Sequence, residues 1–191
     1  NKSLSDSLYN GLCSHTHVGS QKIVQIRREI MDIAEQIHGP IHKYNKLNIM
    51  QSGSYREGFR FTSSDQDIMQ WLINYKVICE ISQFSNYDAA KLNIILMKHS
   101  ESPPGFVMLK LLTPTRNFRM FSSSVVVLLK DCYISSKIFR EISHDYAKTY
   151  IWIRPMELHG PVTKINMEYL ETDIGMCIAC PYWPQTASSW I

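Results

Sequence analysis

The clearest periodicity in the chain runs from Ser20 to His38, where Ile23, Ile26, Ile30, Ile33 and Ile37 recur at steps of three and four. That spacing lays the isoleucines along one stripe of a helix, with Gln21, Lys22, Gln25, Arg28, Glu29 and Asp32 on the other faces, toward water. Gly39-Pro40 is then expected to stop or kink the helix. Residues 1–17 are polar and show no period, which predicts a loose arm.

Shorter apolar runs follow with the spacing of strands. Asn48–Ser52 leads into Gly53-Ser54. Asp67–Ile73 and Lys76–Ile81 suggest a hairpin around Asn74-Tyr75. Leu92–Lys98 and Phe106–Leu112 are separated by Glu-Ser-Pro-Pro-Gly, a strong turn signal. Val125–Leu129 and Ile134–Lys148 are assigned to helical structure, the latter from Ile134, Ile138, Ile142 and Tyr146 at steps of four. Tyr150–Arg154 and Glu168–Cys180 read as further strands. Strands and helices mixed in this order predict an α+β domain, a twisted mixed sheet flanked by helices with a long N-terminal helix.

Composition narrows the class. A chain of 191 residues with 45% hydrophobic and 19% charged residues can bury a core and is not compositionally disordered. The net charge of +3 permits a phosphate-rich partner without demanding one. Five scattered cysteines suggest reduced thiols, and hence a cytoplasmic or nuclear protein, not a disulfide framework. The longest apolar runs are too short to cross a bilayer, and no charged-then-apolar leader opens the chain.

The chemistry concentrates in Gly53-Ser54-Tyr55-Arg56-Glu57, followed by Asp65-Gln66-Asp67-Ile68-Met69. On a strand, a spacing of two points the Asp65 and Asp67 carboxylates to the same side. Two such anions repel, and a cation offsets the repulsion; Mg²⁺ takes hard oxygen ligands and is commonly shared between carboxylates and substrate phosphates. Gly53 permits close backbone approach, and Ser54 offers an N–H and a hydroxyl to a phosphate oxygen. A solvated turn has the same composition as Ser-Ser-Asp-Gln-Asp, so the pair by itself stays open. Farther on, Glu171, Asp173, Gly175, Cys177 and Ala179 alternate onto one strand face and Thr172, Ile174, Met176 and Ile178 onto the other. The first face is acidic and small, the second mostly apolar, and Glu171 rivals Asp173 as a ligand on the same face.

The Gly-Ser turn ahead of an Asp-x-Asp strand resembles the signature of the polymerase-beta-like nucleotidyltransferases. The run Gly53–Glu57 and Asp65–Met69, with His159-Gly160-Pro161, Glu171–Cys180, Trp183-Pro184 and Trp190, is similar to that of the cyclic GMP-AMP synthase-like, Mab-twenty-one-type family. The likeness touches residues from about 18 to 191. The chain departs from the vertebrate synthase in having Asp for the first acid and one residue fewer between Asp173 and Trp183-Pro184.

This resemblance implies a nucleotidyltransferase lobe over 18–191 in which Asp65, Asp67 and Asp173 bind Mg²⁺ or Mn²⁺, and Gly53 and Ser54 hold the triphosphate. ATP and GTP are the implied substrates and a cyclic dinucleotide, made in innate immunity, the implied product. Double-stranded RNA or DNA is the implied activator. It also implies a helical second lobe after Ile191, so that this piece alone is expected to have little activity. A catalytically silent interaction module and a non-cyclising transferase are the competing readings. Lys22, Arg27, Arg28, Lys43 and Lys46 form a candidate basic stripe, but Glu29, Asp32 and Glu35 interleave with them as on an ordinary solvated face. Cys177 and Cys180 fall on opposite strand faces and read as structural, as His15 and His17 read as part of a polar arm.

Overall fold

The computed structural model describes residues 2–15, 19–43, 47–59, 64–99, 102–103, 105–114, 119–150, 155–167 and 170–182. In chain order the elements are α1 (Lys2–His15), α2 (Gln21–Lys43), β1 (Leu47–Ser52), the single turn α3 (Gly53–Arg56), β2 (Gln66–Leu72) and β3 (Tyr75–Ile78). A 3-10 segment (Ile81–Asn86), β4 (Asn93–Lys98), β5 (Met108–Leu111), α4 (Arg119–Ser123), β6 (Val125–Leu128) and β7 (Asp131–Ile134) follow. The chain continues through α5 (Ser136–Tyr150), β8 (Met156–His159), β9 (Val162–Met167) and β10 (Leu170–Cys177). The fold is α+β, as the pattern predicts, but its strands form two five-stranded sheets instead of one. The chain divides into two compact units, Asn1–Gln70 with Ile151–Gly175, and Trp71–Tyr150 with Met176–Ile191.

The first sheet has the order β1-β2-β10-β9-β8. Its outer hairpin turns at Gly160-Pro161, with His159 opposite Val162 and Gly160 at φ +56°. A positive φ at the first turn position suits glycine, and the following proline needs no N–H in the ladder. The antiparallel register then places Asp173 opposite Lys164, and Lys164 opposite Glu157. Ile165, Thr163 and Thr172 are buried in this sheet.

The second sheet has the order β3-β4-β5-β7-β6, with β3 parallel to β4 and the other pairs antiparallel. Ile78, Ile94 and Ile95 are fully buried, each worth about 1.5–3 kcal/mol of burial free energy. Tyr75 stacks on Phe121 with ring centroids 3.7 Å apart, and Phe121 meets Phe139 at 4.8 Å. Burial pushes the Tyr75 phenol up to about 12.

Four expectations change. The hairpin around Asn74-Tyr75 does not form, because β3 pairs in parallel with β4 while β2 belongs to the first sheet. Val125–Leu128 is a strand: its run of β-branched valines suits a pleated edge, and it turns at Leu129-Lys130, with φ +50° and +72°, to pair with β7. Residues Lys2–His15 form a helix where a loose arm was expected. Finally, α2 continues past Gly39-Pro40 to Lys43, and its isoleucine stripe does not face the body of its own unit. Ile23, Ile26, Ile30, Ile33 and Ile37 are 44–62% exposed, whereas Met31 is buried at 6%. The expected strand over Tyr150–Arg154 lies outside the described residues from 151 onward, as do Trp183-Pro184, Trp190, His17 and Lys46.

Candidate carboxylate site

The site is built on β2 and β10, adjacent inner strands of the first sheet, and on the turn that leaves β1. Asp67 lies on β2, Asp65 just before it, and Asp173 on β10, the neighbour of β2 in the sheet. Adjacency of these strands brings together acids that are far apart in sequence. One carboxylate oxygen from each of Asp65, Asp67 and Asp173 lies within 4.8 Å of the other two. All three side chains are half-buried. Burial, then the charges of Asp65 and Asp173, push the Asp67 carboxyl above the usual carboxylate range.

Gly53 and Ser54 stand at the same place. Gly53 has φ +70°, and a Cβ there would strike the Asp67 carboxylate, standing 2.9 Å from its Cγ. Only glycine meets both conditions. The Ser54 hydroxyl donates to the Ser64 hydroxyl at 3.4 Å, and the Ser64 hydroxyl to the Phe59 carbonyl at 3.3 Å. The backbone N–H of Phe59 returns to the Ser54 carbonyl at 2.9 Å. The turn is thus closed on itself beside the acids.

Sequence reading missed what holds this turn against α2. Arg56 ion-pairs with Asp32 and, at 3.2 Å, with Glu35. Glu35 also accepts the backbone N–H of Gln51 at 3.2 Å. Arg28 binds the Glu57 carboxylate at 2.9 Å and the Glu57 carbonyl at 2.8 Å, and Arg27 donates to the Gly58 carbonyl at 3.1 Å. A Cβ at Gly58 would stand 2.7 Å from the Val24 carbonyl oxygen, so glycine lets the turn and helix touch. Arg27 and Arg28, candidates for the basic stripe, are engaged here. The acids interleaved with them supplied the signal: on a helix, Asp32 and Glu35 are one turn apart and share a face.

Glu171 and Asp173, neighbours on one face of β10, have different surroundings. Lys164 binds the Glu171 carboxylate at 2.6 Å, while Asp173 is the residue that joins Asp65 and Asp67. The hydrogen bond that Lys164 donates to Glu171 raises the Lys164 ammonium above its ordinary range; burial opposes it, and the charges of Glu171, Asp173 and Glu157 reinforce it.

A divalent cation fits these residues. Three hard-oxygen donors converge, and Asp173 Oδ1 is buried without a hydrogen-bond partner. A buried carboxylate oxygen without a donor is costly, and coordination satisfies it. In the other unit, the Cys180 thiol donates to the Tyr182 carbonyl at 3.4 Å; none of the chain's five cysteines is in a disulfide.

No protein-family profile and no curated protein sequence matches the chain. Among solved structures, Rhodothermus marinus CdnE c-UMP-AMP synthase aligns with it at 14% identity and a TM-score of 0.39. The alignment covers 91% of this chain and 45% of that synthase, so the chain spans less than half of the synthase's length. No helix among the described residues is long and apolar enough to cross a membrane.

Proposed function

We propose that this chain carries the carboxylate site of a divalent-cation-dependent nucleotidyltransferase, and that the intact protein joins ATP and GTP into a cyclic dinucleotide. The observation that carries this reading is the meeting of Asp65, Asp67 and Asp173 within 4.8 Å, beside the Gly53-Ser54 turn. The motif resemblance to the cyclic GMP-AMP synthase-like family supports it.

In this reading Asp65, Asp67 and Asp173 hold Mg²⁺, or Mn²⁺ in its place. When bound, the metal supplies charge stabilisation for the phosphates and lowers the pKa of the attacking hydroxyl. The chain's own contribution is positional. Asp67 and Asp173 sit on adjacent strands, so the relative placement of their carboxylates is set by the sheet and not by a loop. Ser54 presents its N–H to the triphosphate, and its hydroxyl exchanges the 3.4 Å contact with Ser64 for a phosphate oxygen. Little covalent work is left to the protein in phosphoryl and nucleotidyl transfer, so positioning and charge account for most of the acceleration. The immune role and activation by double-stranded RNA or DNA rest on the resemblance.

The test is incubation of the full-length protein with labelled ATP and GTP and Mg²⁺ or Mn²⁺, with and without double-stranded RNA or DNA. A cyclic product that disappears in an Asp65→Asn/Asp67→Asn variant supports the proposal. A linear product, or label on a macromolecule, replaces it with a non-cyclising transferase. No product under any condition leaves a silent interaction module.

A further inference from the structure

We infer that Lys164 and Glu171 form a charge-compensating pair that sets the cation affinity of the three-carboxylate site, with Glu171 holding the Lys164 ammonium off Asp173. This inference rests on the carboxylate site binding a divalent cation.

Three observations carry it. The β9–β10 register places Lys164 directly opposite Asp173, so a full positive charge stands one strand away from a candidate metal ligand. Its ammonium is bound to Glu171 at 2.6 Å, and Asp173 Oδ1 is left buried and without a hydrogen-bond partner. Glu171 and Asp173 lie two apart on β10, so Lys164 can reach either carboxylate by a change of side-chain rotamer. Glu157, opposite Lys164 on the other side, adds a further carboxylate near the ammonium.

A lysine this close to the cluster has two available partners on β10, Glu171 and Asp173. Bound to Asp173, it would occupy a ligand oxygen and repel an incoming cation. Bound to Glu171, it forms a pair of zero net charge and Asp173 stays open. Glu171 is thus a positioning residue that acts through Lys164. The two side chains must therefore affect cation binding in opposite directions, and the effect of Glu171 must vanish once Lys164 is removed, which two independent nearby charges would not show.

The pair is accessible to substitution, since 23% of the Lys164 side chain and 54% of the Glu171 side chain are exposed. The experiment is calorimetric titration of the full-length protein with Mn²⁺ alone, at fixed ionic strength and without nucleotide. Wild type is compared with Glu171→Gln, Lys164→Met, Lys164→Gln, the double variant Lys164→Met/Glu171→Gln, and Asp67→Asn. A divalent ion and an ammonium one strand apart in a water-like dielectric interact strongly enough to change affinity on the order of tenfold. Glu171→Gln is expected to weaken Mn²⁺ binding by about that factor, because it frees the ammonium to turn to Asp173. Both Lys164 substitutions are expected to tighten it by a similar factor, and the double variant to bind as tightly as Lys164→Met, because Glu171 acts through the ammonium; a double variant back at the wild-type affinity would mean two independent charges and overturn the inference. Binding that is lost in Asp67→Asn but unchanged in the Lys164 and Glu171 variants overturns this inference alone, as does a shift of both single substitutions in the same direction. A wild type that takes up no Mn²⁺, or no more than Asp67→Asn does, overturns the metal site and this inference together.

Discussion

Gly53 lies so close to the carboxylate of Asp67 that no Cβ fits between them. The contact joins the turn that carries Ser54 to the strand that carries Asp67. Substitution Gly53→Ala adds a methyl group directed at the carboxylate, on a backbone with φ +70°. The left-handed backbone alone costs about 1–2 kcal/mol for a residue with a side chain. Gly53→Ala is expected to lower the midpoint of thermal unfolding and to abolish the stabilisation conferred by Mn²⁺. Thermal scans in chelator and in Mn²⁺ read both effects. A variant as strongly stabilised by Mn²⁺ as wild type would show that the contact does not define the site.

The three acids repel one another in the absence of a cation, and burial adds to the cost at Asp67. Asp65→Asn, Asp67→Asn and Asp173→Asn are therefore each expected to leave the cation-free protein as stable as wild type or more so. The same changes are expected to remove the Mn²⁺-dependent rise in unfolding temperature and to lower turnover by on the order of a hundredfold or more. Stability and activity thus move in opposite directions. Loss of stability in all three variants would instead assign the acids a structural role.

The parts of this arrangement that were legible in the sequence are those encoded locally. Gly53-Ser54 and Asp65-Gln66-Asp67 lie close together in the chain, and strand alternation alone puts Asp173 on an acidic face. The β4–β5 pairing was legible because a Pro-Gly turn separates its two apolar runs. By contrast, the β6–β7 turn uses Leu129-Lys130 at positive φ, without the Asn or Gly that signals such a turn. The choice between Glu171 and Asp173 depends on Lys164, whose position opposite Asp173 follows from sheet register and not from spacing. The amphipathic pattern of α2 identified an apolar face, but the hydrogen bonds and ion pairs that dock the helix come from its charged residues, Arg27, Arg28, Asp32 and Glu35.

Arg56 is one of the links between the Ser54 turn and α2, beside Arg27 and Arg28. Its side chain is 22% exposed, and its guanidinium faces both Asp32 and Glu35. Arg56→Ala leaves two carboxylates without their cation, and loss of charged hydrogen bonds of this kind costs about 1.5–3 kcal/mol, less here because Asp32 is 54% exposed. Arg56→Lys keeps the charge but cannot span both acids with a planar fork. Both variants are expected to raise the KM for nucleotide more than they lower kcat, with Arg56→Ala the more severe. Steady-state kinetics over a range of nucleotide concentrations tests this. An unchanged KM would detach the Arg56 ion pairs from nucleotide binding.

His144, on α5, gives the fold a pH dependence of its own. The residue is buried, and desolvation, followed by the charge of Lys148, depresses its imidazole below the ordinary value of 6.5, with Asp145 opposing. The folded state therefore binds fewer protons than the unfolded chain at pH values between the depressed pKa and 6.5. Stability rises with pH wherever the unfolded state binds more protons, so it is expected to fall as pH drops below 6.5 and to level off once the folded imidazole is also protonated. Urea unfolding at pH values on either side of 6.5 measures the slope. In His144→Phe, which keeps an aromatic ring but cannot titrate, the loss of stability over this window is expected to be smaller than in wild type. Equal slopes in the two proteins would assign the acid sensitivity to other groups.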